Sequence, residues 1–250
     1  MSNLLQYFHS NFDLPIVLYF NQHCGKCIFL DTLALIFLSV DALRTAILVA
    51  LVMGIWEYGK IKNDKNASKR VIAILFSIVL TLGIIEILNA LINSPRPIVT
   101  YENLINSPTI TENTKELWKD AWARNAKHGA FPSDTVALLA TMAIGLFLWK
   151  RQIGSLAIFF VLVAGILPRL YFGLHYPSDM LIGVLISAFS TFIVEKVKLF
   201  RLLIEQILQI EKKFPYAFGF FGFYIAYIIA DKFILLRKLP IWIKTMLGFY

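Results

Sequence analysis

A chain of 250 residues that is 58% hydrophobic and 16% charged, with a mean hydropathy of +0.68, is too apolar for a soluble domain of its size. Several apolar runs approach the roughly 20 residues that a helix needs to cross a hydrocarbon core. The alternating segments of a membrane barrel are absent, so the expected fold is all-α, a polytopic bundle of about six transmembrane helices. The net charge of +8 does not imply a nucleic-acid partner, because the basic residues lie in short segments between apolar runs, where headgroups and positive-inside topology account for them.

In chain order, Met1 to Pro15 shows no basic region followed by an apolar core and cleavage site, so no removable signal is expected. Residues 1–40 mix apolar stretches (Leu14 to Phe20, Ile28 to Val40) with His9, Asp13 and Asp31, and read as an interfacial segment. Within it, Cys24 and Cys27 form a lone pair beside His23, without the second pair that a zinc tetrahedron requires. A local disulfide stays open if the segment is extracytoplasmic, two incidental thiols being the simpler reading.

Apolar character dominates from Ala42 to Trp56. Glu57 to Arg70 then carries Lys60, Lys62, Lys65, Lys69 and Arg70 against Glu57 and Asp64, a cytoplasmic signature. The second span, Val71 to Leu91, is broken by Pro95-Arg96-Pro97. Ile98 to Phe131 is mixed in charge, with a short helix expected from Thr114 to Trp122 that places Trp118 and Trp122 on one face, at headgroup level. Val136 to Trp149 and Ile153 to Phe172 form a tight hairpin about Lys150-Arg151. Met180 to Val197 leads into a second basic segment with Lys196, Lys198, Arg201, Lys212 and Lys213, and Phe218 to Phe233 is the sixth span. One membrane domain over 41–236 follows, with a tail at 237–250 and both termini extracytoplasmic.

On this topology Asn89 to Pro97, His128 to Thr135 and Arg169 to Asp179 meet at one membrane face. Ionisable groups at such depth are expensive and are by default functional. Singly, each is explained by helix capping or a snorkelling arginine; together they are not. Arg96 and Arg169 supply planar guanidinium forks suited to phosphoryl oxygens. Pro132-Ser133-Asp134 and Pro177-Ser178-Asp179 each open a helix, with Ser133 and Ser178 as expected caps and free N–H groups that favour an anion. His175 precedes Asp179 by four residues, so the carboxylate can turn back to one imidazole nitrogen and leave the other for phosphorus, as a histidine nucleophile needs.

Over roughly Val71 to Val197 these residues resemble the type 2 phosphatidic acid phosphatase superfamily. Its third motif (Ser-Arg, five residues, His, three residues, Asp) reads Pro168-Arg169, His175, Asp179. Its first motif ends in Arg96-Pro97, with Asn89 at the lysine position. Its second, Pro-Ser-Gly-His, reads Pro132-Ser133-Asp134-Thr135. The resemblance implies His175 as nucleophile, Asp179 as its orienting partner, and Arg96, Arg169 and Ser133 as phosphate binders. Asn89 offers a hydrogen bond without charge. It further implies a phosphohistidine intermediate with no cofactor and no metal.

Thr135 replaces the histidine that protonates the leaving group, and His128, seven residues earlier, is one possible substitute. A general acid is worth about 10²–10⁴-fold and matters most for an alkoxide leaving group. A phosphoanhydride leaves as a phosphate, which arginines and helix N-termini stabilise. Asp134 also resembles the Pro-Ser-Asp-His variant of undecaprenyl diphosphate phosphatases. The expected substrate is therefore a polyprenyl diphosphate, cleaved at the outer face of a bacterial inner membrane. Two rivals remain: a phosphotransferase using a lipid or glycan hydroxyl, and a silent lipid-phosphate-binding or transport-associated protein. No sequence feature sets the oligomeric state.

Overall fold

The computed structural model describes residues 6–92, 94–112, 114–116, 118–119 and 129–231. Among them the fold is all-α, without strands. A π-helical turn, His9–Asp13, runs into α1 (Leu14–Asn21), followed by α2 (Ile28–Ser39), α3 (Asp41–Lys62), α4 (Lys65–Leu91) and the single turn α5 (Pro97–Thr100). After the undescribed stretch come α6 (Asp134–Trp149), α7 (Arg151–Tyr171), α8 (Pro177–Lys196), α9 (Lys198–Lys213) and α10 (Pro215–Ala230).

Over the described residues, all six apolar runs are helical for nearly their whole length. Among the described residues four helices, α3, α4, α7 and α8, are long and apolar enough to cross a membrane; α6 and α10, at 16 residues each, are shorter. Local chemistry sets the boundaries. Asn63 takes the left-handed conformation (φ 55°) that ends α3, and the Asp64 carboxylate caps α4 by accepting from the N–H groups of Asn66 and Ala67. Pro177 and Pro215 stand at first-turn positions, where a missing N–H costs nothing.

Helix α6 is the centre of the bundle, packing on α4, α7 and α8. Leu138, Leu139, Met142, Ala143 and Leu146 are buried against Ile74, Ile78 and Val161. The α6–α7 hairpin requires a close approach at Gly154, where a Cβ would lie 2.0 Å from the Cα of Phe147. In α7, Pro168 cannot donate to the preceding turn, and the helix widens to a π conformation over Val161–Ile166.

Two segments depart from the sequence reading. The Ala42 to Trp56 run is interrupted by Arg44 and Thr45, both wholly buried. Arg44 is held by the carbonyls of Phe37 and Leu38 (2.9 and 2.7 Å) and by Asp41. The second basic segment is the amphipathic helix α9, which buries Ile204 and turns Phe200, Ile207 and Leu208 to the core. Ion pairs Lys69–Glu205 and Arg70–Glu195 tie α4 to α9 and α8.

Helices α1 and α2 pack on the C-terminal part of α7, and the π turn before α1 touches α8. Cys24 is buried, Cys27 is exposed, and both are free thiols; burial and Asp31 push Cys24 up to about 12. Trp118 packs on Phe172 with ring centroids 5.4 Å apart, whereas Trp122 and the 237–250 tail lie outside the described residues.

Candidate active site

Backbone hydrogen bonds bring the three polar clusters together. Ala130 N–H donates to Ser94 (2.7 Å), Ile98 N–H to Gly173 (2.8 Å), and Ser133 N–H to Asp179 (3.1 Å). The last joins the two Pro-Ser-Asp helix starts directly. Gly173, at φ +62°, makes the left-handed turn from α7 into the loop that carries His175, a conformation that glycine adopts at least cost.

His175 is 3% exposed. Its Nδ1 lies 2.9 Å from the Ala130 carbonyl and its Nε2 lies 2.8 Å from Nη1 of Arg96. A carbonyl only accepts and a guanidinium only donates, so the ring is the neutral Nδ1–H tautomer with its lone pair on Nε2. Burial holds His175 well below the ordinary histidine value; the charges of Arg96 and Arg169 act in the same sense, and Asp134 and the Ala130 hydrogen bond oppose them. The arrangement presents a neutral, oriented nitrogen lone pair beside a cation.

Arg96 also donates to the carbonyls of Leu174 (2.8 Å) and Gly129 (3.3 Å). Burial lowers it to about 10, with Asp134 and Asp179 opposing, so it stays charged at neutral pH. Arg169 is 4% exposed and donates to the Gly165 carbonyl at 2.5 Å, in the π segment of α7. The charges of Arg44, Arg96, Asp134 and Asp41 all act on it.

Asp179 is wholly buried. Its Oδ2 accepts from Tyr176 N–H at 2.9 Å and lies 3.7 Å from Nδ1 of His175. The four-residue spacing thus does bring carboxylate and imidazole together, but the hydrogen bond from Nδ1 goes to Ala130. A backbone acceptor leaves no trace in residue type.

The serines also differ from their expected capping roles. Ser133 stands at the N-cap of α6 without a side-chain capping bond, and its buried hydroxyl has no partner among the described residues. Ser178 lies inside the first turn of α8, and its hydroxyl donates to Asp13 at 2.5 Å. Thr135 is buried and binds back to Asp134 Oδ1 through its N–H (2.6 Å) and hydroxyl (3.2 Å). Asn89 is half-buried near the end of α4 and takes no part in the hydrogen bonds joining Arg96, His175 and Ala130. His128 falls outside the described residues.

Sequence reasoning missed His9 and Asp13. Asp13 Oδ1 accepts from Ser178 N–H at 3.2 Å. The His9 ring stacks on Tyr176 with centroids 3.8 Å apart, and its Nε2 lies 3.7 Å from both Asp13 Oδ2 and Asp179 Oδ1. Burial lowers His9 from its ordinary value, Asp13 opposing. The available signal was two titratable residues four apart in an otherwise apolar stretch.

Residues 70–201 match the family model of the PAP2 superfamily. The chain belongs to the PAP2 superfamily. No curated protein and no solved structure matches it. PAP2 members are hydrolases of phosphoric esters, and membership gives this multi-pass membrane protein phosphatase-type chemistry on lipid phosphates. The matched PAP2 segment contains Arg96, Ser133, Arg169, His175 and Asp179; His9, Asp13 and Arg44 lie before it.

Proposed function

We propose that this protein removes a phosphate from a polyprenyl diphosphate through a phosphohistidine on His175. The observation that carries the reading is the buried neutral imidazole, fixed at Nδ1 by Ala130 and facing the Arg96 guanidinium with Nε2. Arg96 swings its Nη1 from that lone pair to the terminal phosphate. Nε2 then attacks phosphorus, and the bond to the bridging oxygen breaks with its electron pair leaving on the lipid monophosphate. Water next attacks the phosphohistidine; the P–N pair returns to Nε2, and inorganic phosphate departs with one proton lost to solvent.

Arg96 and Arg169, with the hydroxyl of Ser133, neutralise the charge that gathers on the phosphoryl oxygens. Asp179 offsets the positive charge that the His175 ring acquires on phosphorylation. Thr135 cannot protonate a leaving group, which favours an anhydride over an alkyl ester. The basic segments at the opposite end of the bundle favour an orientation with the site facing the periplasm or cell exterior of a bacterial inner membrane, and residues 6–40 then lie along that interface.

The test is phosphate release by detergent-purified protein from a polyprenyl diphosphate and a matched monophosphate, with His175→Ala as control and with or without an alcohol acceptor. Release from the diphosphate that is lost in the variant supports the reading, and phosphate transferred to the alcohol marks a phosphotransferase. Lipid binding without release under any condition overturns it in favour of a silent binding protein.

A further inference from the structure

Behind the nucleophile lies a second set of buried ionisable groups, supplied by the segment that precedes the superfamily match. The buried atoms His9 Nε2 and Asp179 Oδ1 face each other at 3.7 Å, and neither has a hydrogen-bond partner among the described residues. Asp13 Oδ2 stands 3.7 Å from the same nitrogen. Leaving two buried polar atoms unsatisfied is costly unless the site uses them. Both oxygens are acceptors when ionised, so a nitrogen placed between them carries a proton. The distances are those of an ion pair that a small movement converts to a hydrogen bond, and catalytic hydrogen bonds often tighten only when substrate binds.

Asp13 anchors the arrangement to the catalytic helix. Its two oxygens accept from the N–H and hydroxyl of Ser178, in the first turn of α8, one residue before Asp179. The Tyr176 ring, adjacent in sequence to His175, fixes the plane of His9 by stacking at 3.8 Å. Among the described residues, the charged and titratable groups around His9 are thus Asp13 on its own turn, Asp179 on α8, and Tyr176 and His175 in the preceding loop, with Arg96 on the far side of His175.

We propose that His9 is a positioning residue for the reaction, whose Nε2–H closes onto the outer oxygen of Asp179 and holds that carboxylate ionised and aimed at the His175 ring while it carries the phosphoryl group. This rests on the phosphohistidine reading. Before attack, Nδ1 is held by the neutral Ala130 carbonyl. After attack the ring is positively charged, and the carboxylate 3.7 Å from Nδ1 becomes the better partner. A hydrogen bond to its second oxygen favours the anion in a buried site. His9 stabilises the phosphorylated state without touching the substrate.

The test compares full-length wild type, His9→Phe, His9→Gln and His175→Ala in detergent. Phenylalanine keeps a ring on Tyr176 but removes the donor, whereas glutamine places an N–H near the position of Nε2. His9→Phe is expected to lose about tenfold or more in kcat with KM within about twofold, the pattern of an interaction made beyond the ground state. His9→Gln is expected to recover most of that loss. Vanadate, a phosphoryl mimic whose binding needs no turnover, is expected to bind His9→Phe more weakly than wild type.

Equal kcat and equal vanadate affinity in His9→Phe and wild type overturn the proposal. So do equal losses in the phenylalanine and glutamine variants accompanied by a matching fall in Tm, because they reduce His9 to packing. Turnover retained by His175→Ala sinks the phosphohistidine reading. The His9 proposal falls with it, whereas its failure alone, with turnover lost in His175→Ala, leaves that reading standing; if the wild type shows no turnover, vanadate bound equally by wild type and His9→Phe overturns the proposal and weaker binding by the variant supports it.

Discussion

The two ends of the bundle satisfy their arginines differently. At the motif end, Arg96 donates to the carbonyls of Leu174 and Gly129, and Arg169 to that of Gly165. At the basic end, Arg70 is paired with Glu195 and Lys69 with Glu205. Carbonyl dipoles hold a guanidinium in place without cancelling its charge, whereas a carboxylate partner does cancel it. Asp134 and Asp179 also act on Arg96, and Arg44 at this end pairs with Asp41, so the motif end holds its positive charge among carbonyls and carboxylates together, in a buried setting where an incoming phosphate finds electrostatics stronger than in water. The basic end spends its charges on tying helices together. Position and partner, more than the presence of arginine, distinguish a site from a scaffold.

The largest test of this contrast is removal of the proposed nucleophile. His175→Ala is expected to lower phosphate release by about 10⁴-fold or more, with secondary structure by circular dichroism unchanged. Arg169→Lys is next. It keeps the charge but loses the planar fork, and a loss of about 10²–10³-fold in kcat is expected, as for other donors to a developing anion. A loss under threefold would show that Arg169 serves only to hold the π segment of α7 through Gly165.

Much of this end was legible in the sequence. The spacing of Arg169, His175 and Asp179 and the Arg96-Pro97 pair survive as neighbours in space, because helix geometry and a proline break leave strong sequence marks. The hydrogen bond from His175 to Ala130 was not legible, since any residue carries a carbonyl. Arg44 leaves little mark in the sequence because one charge scarcely alters the hydropathy of the Ala42 to Trp56 run. The contact between Asp13 and Ser178 spans 165 positions, and only tertiary packing brings such residues together. The second basic segment carries its lysines and arginines openly in the sequence, whereas its amphipathic helical form rests on the period of the apolar residues between them.

The second motif sharpens the comparison within the site itself. Thr135→His restores an imidazole where the superfamily places its general acid. The expected result is a rise of about tenfold or more in monophosphate hydrolysis relative to diphosphate hydrolysis, since a poor leaving group gains most from protonation. An unchanged ratio would mean that Asp134, which binds the N–H and hydroxyl of Thr135, already governs the leaving-group side. The pH profile is a related measure. His175 attacks only when neutral, and its value is held well below 6.5 by burial and the two arginines. Protonation of His175 should therefore lower activity only as pH falls through that lowered value, and in Asp179→Asn, where the neighbouring carboxylate no longer titrates, the residual kcat near pH 6 should match that at pH 7.5. A half-maximal point at or above 6.5 would contradict the buried, arginine-flanked setting.

The smallest effect is expected at the basic end. The side chains of Arg70 and Glu195 are 18% and 33% exposed, and those of Lys69 and Glu205 are 39% and 54% exposed, so solvent screens both pairs. Exposed pairs are typically worth about 0–1 kcal/mol. Arg70→Gln, Glu195→Gln and the double variant form a cycle whose coupling, read from thermal unfolding in detergent, should be about 1 kcal/mol or less, with phosphate release unchanged in all three. A coupling of several kcal/mol, or a fall in activity comparable to that of Arg169→Lys, would mean that the two ends communicate through α4 and α8. The contrast between a charge kept for chemistry and a charge used for fastening would then fail.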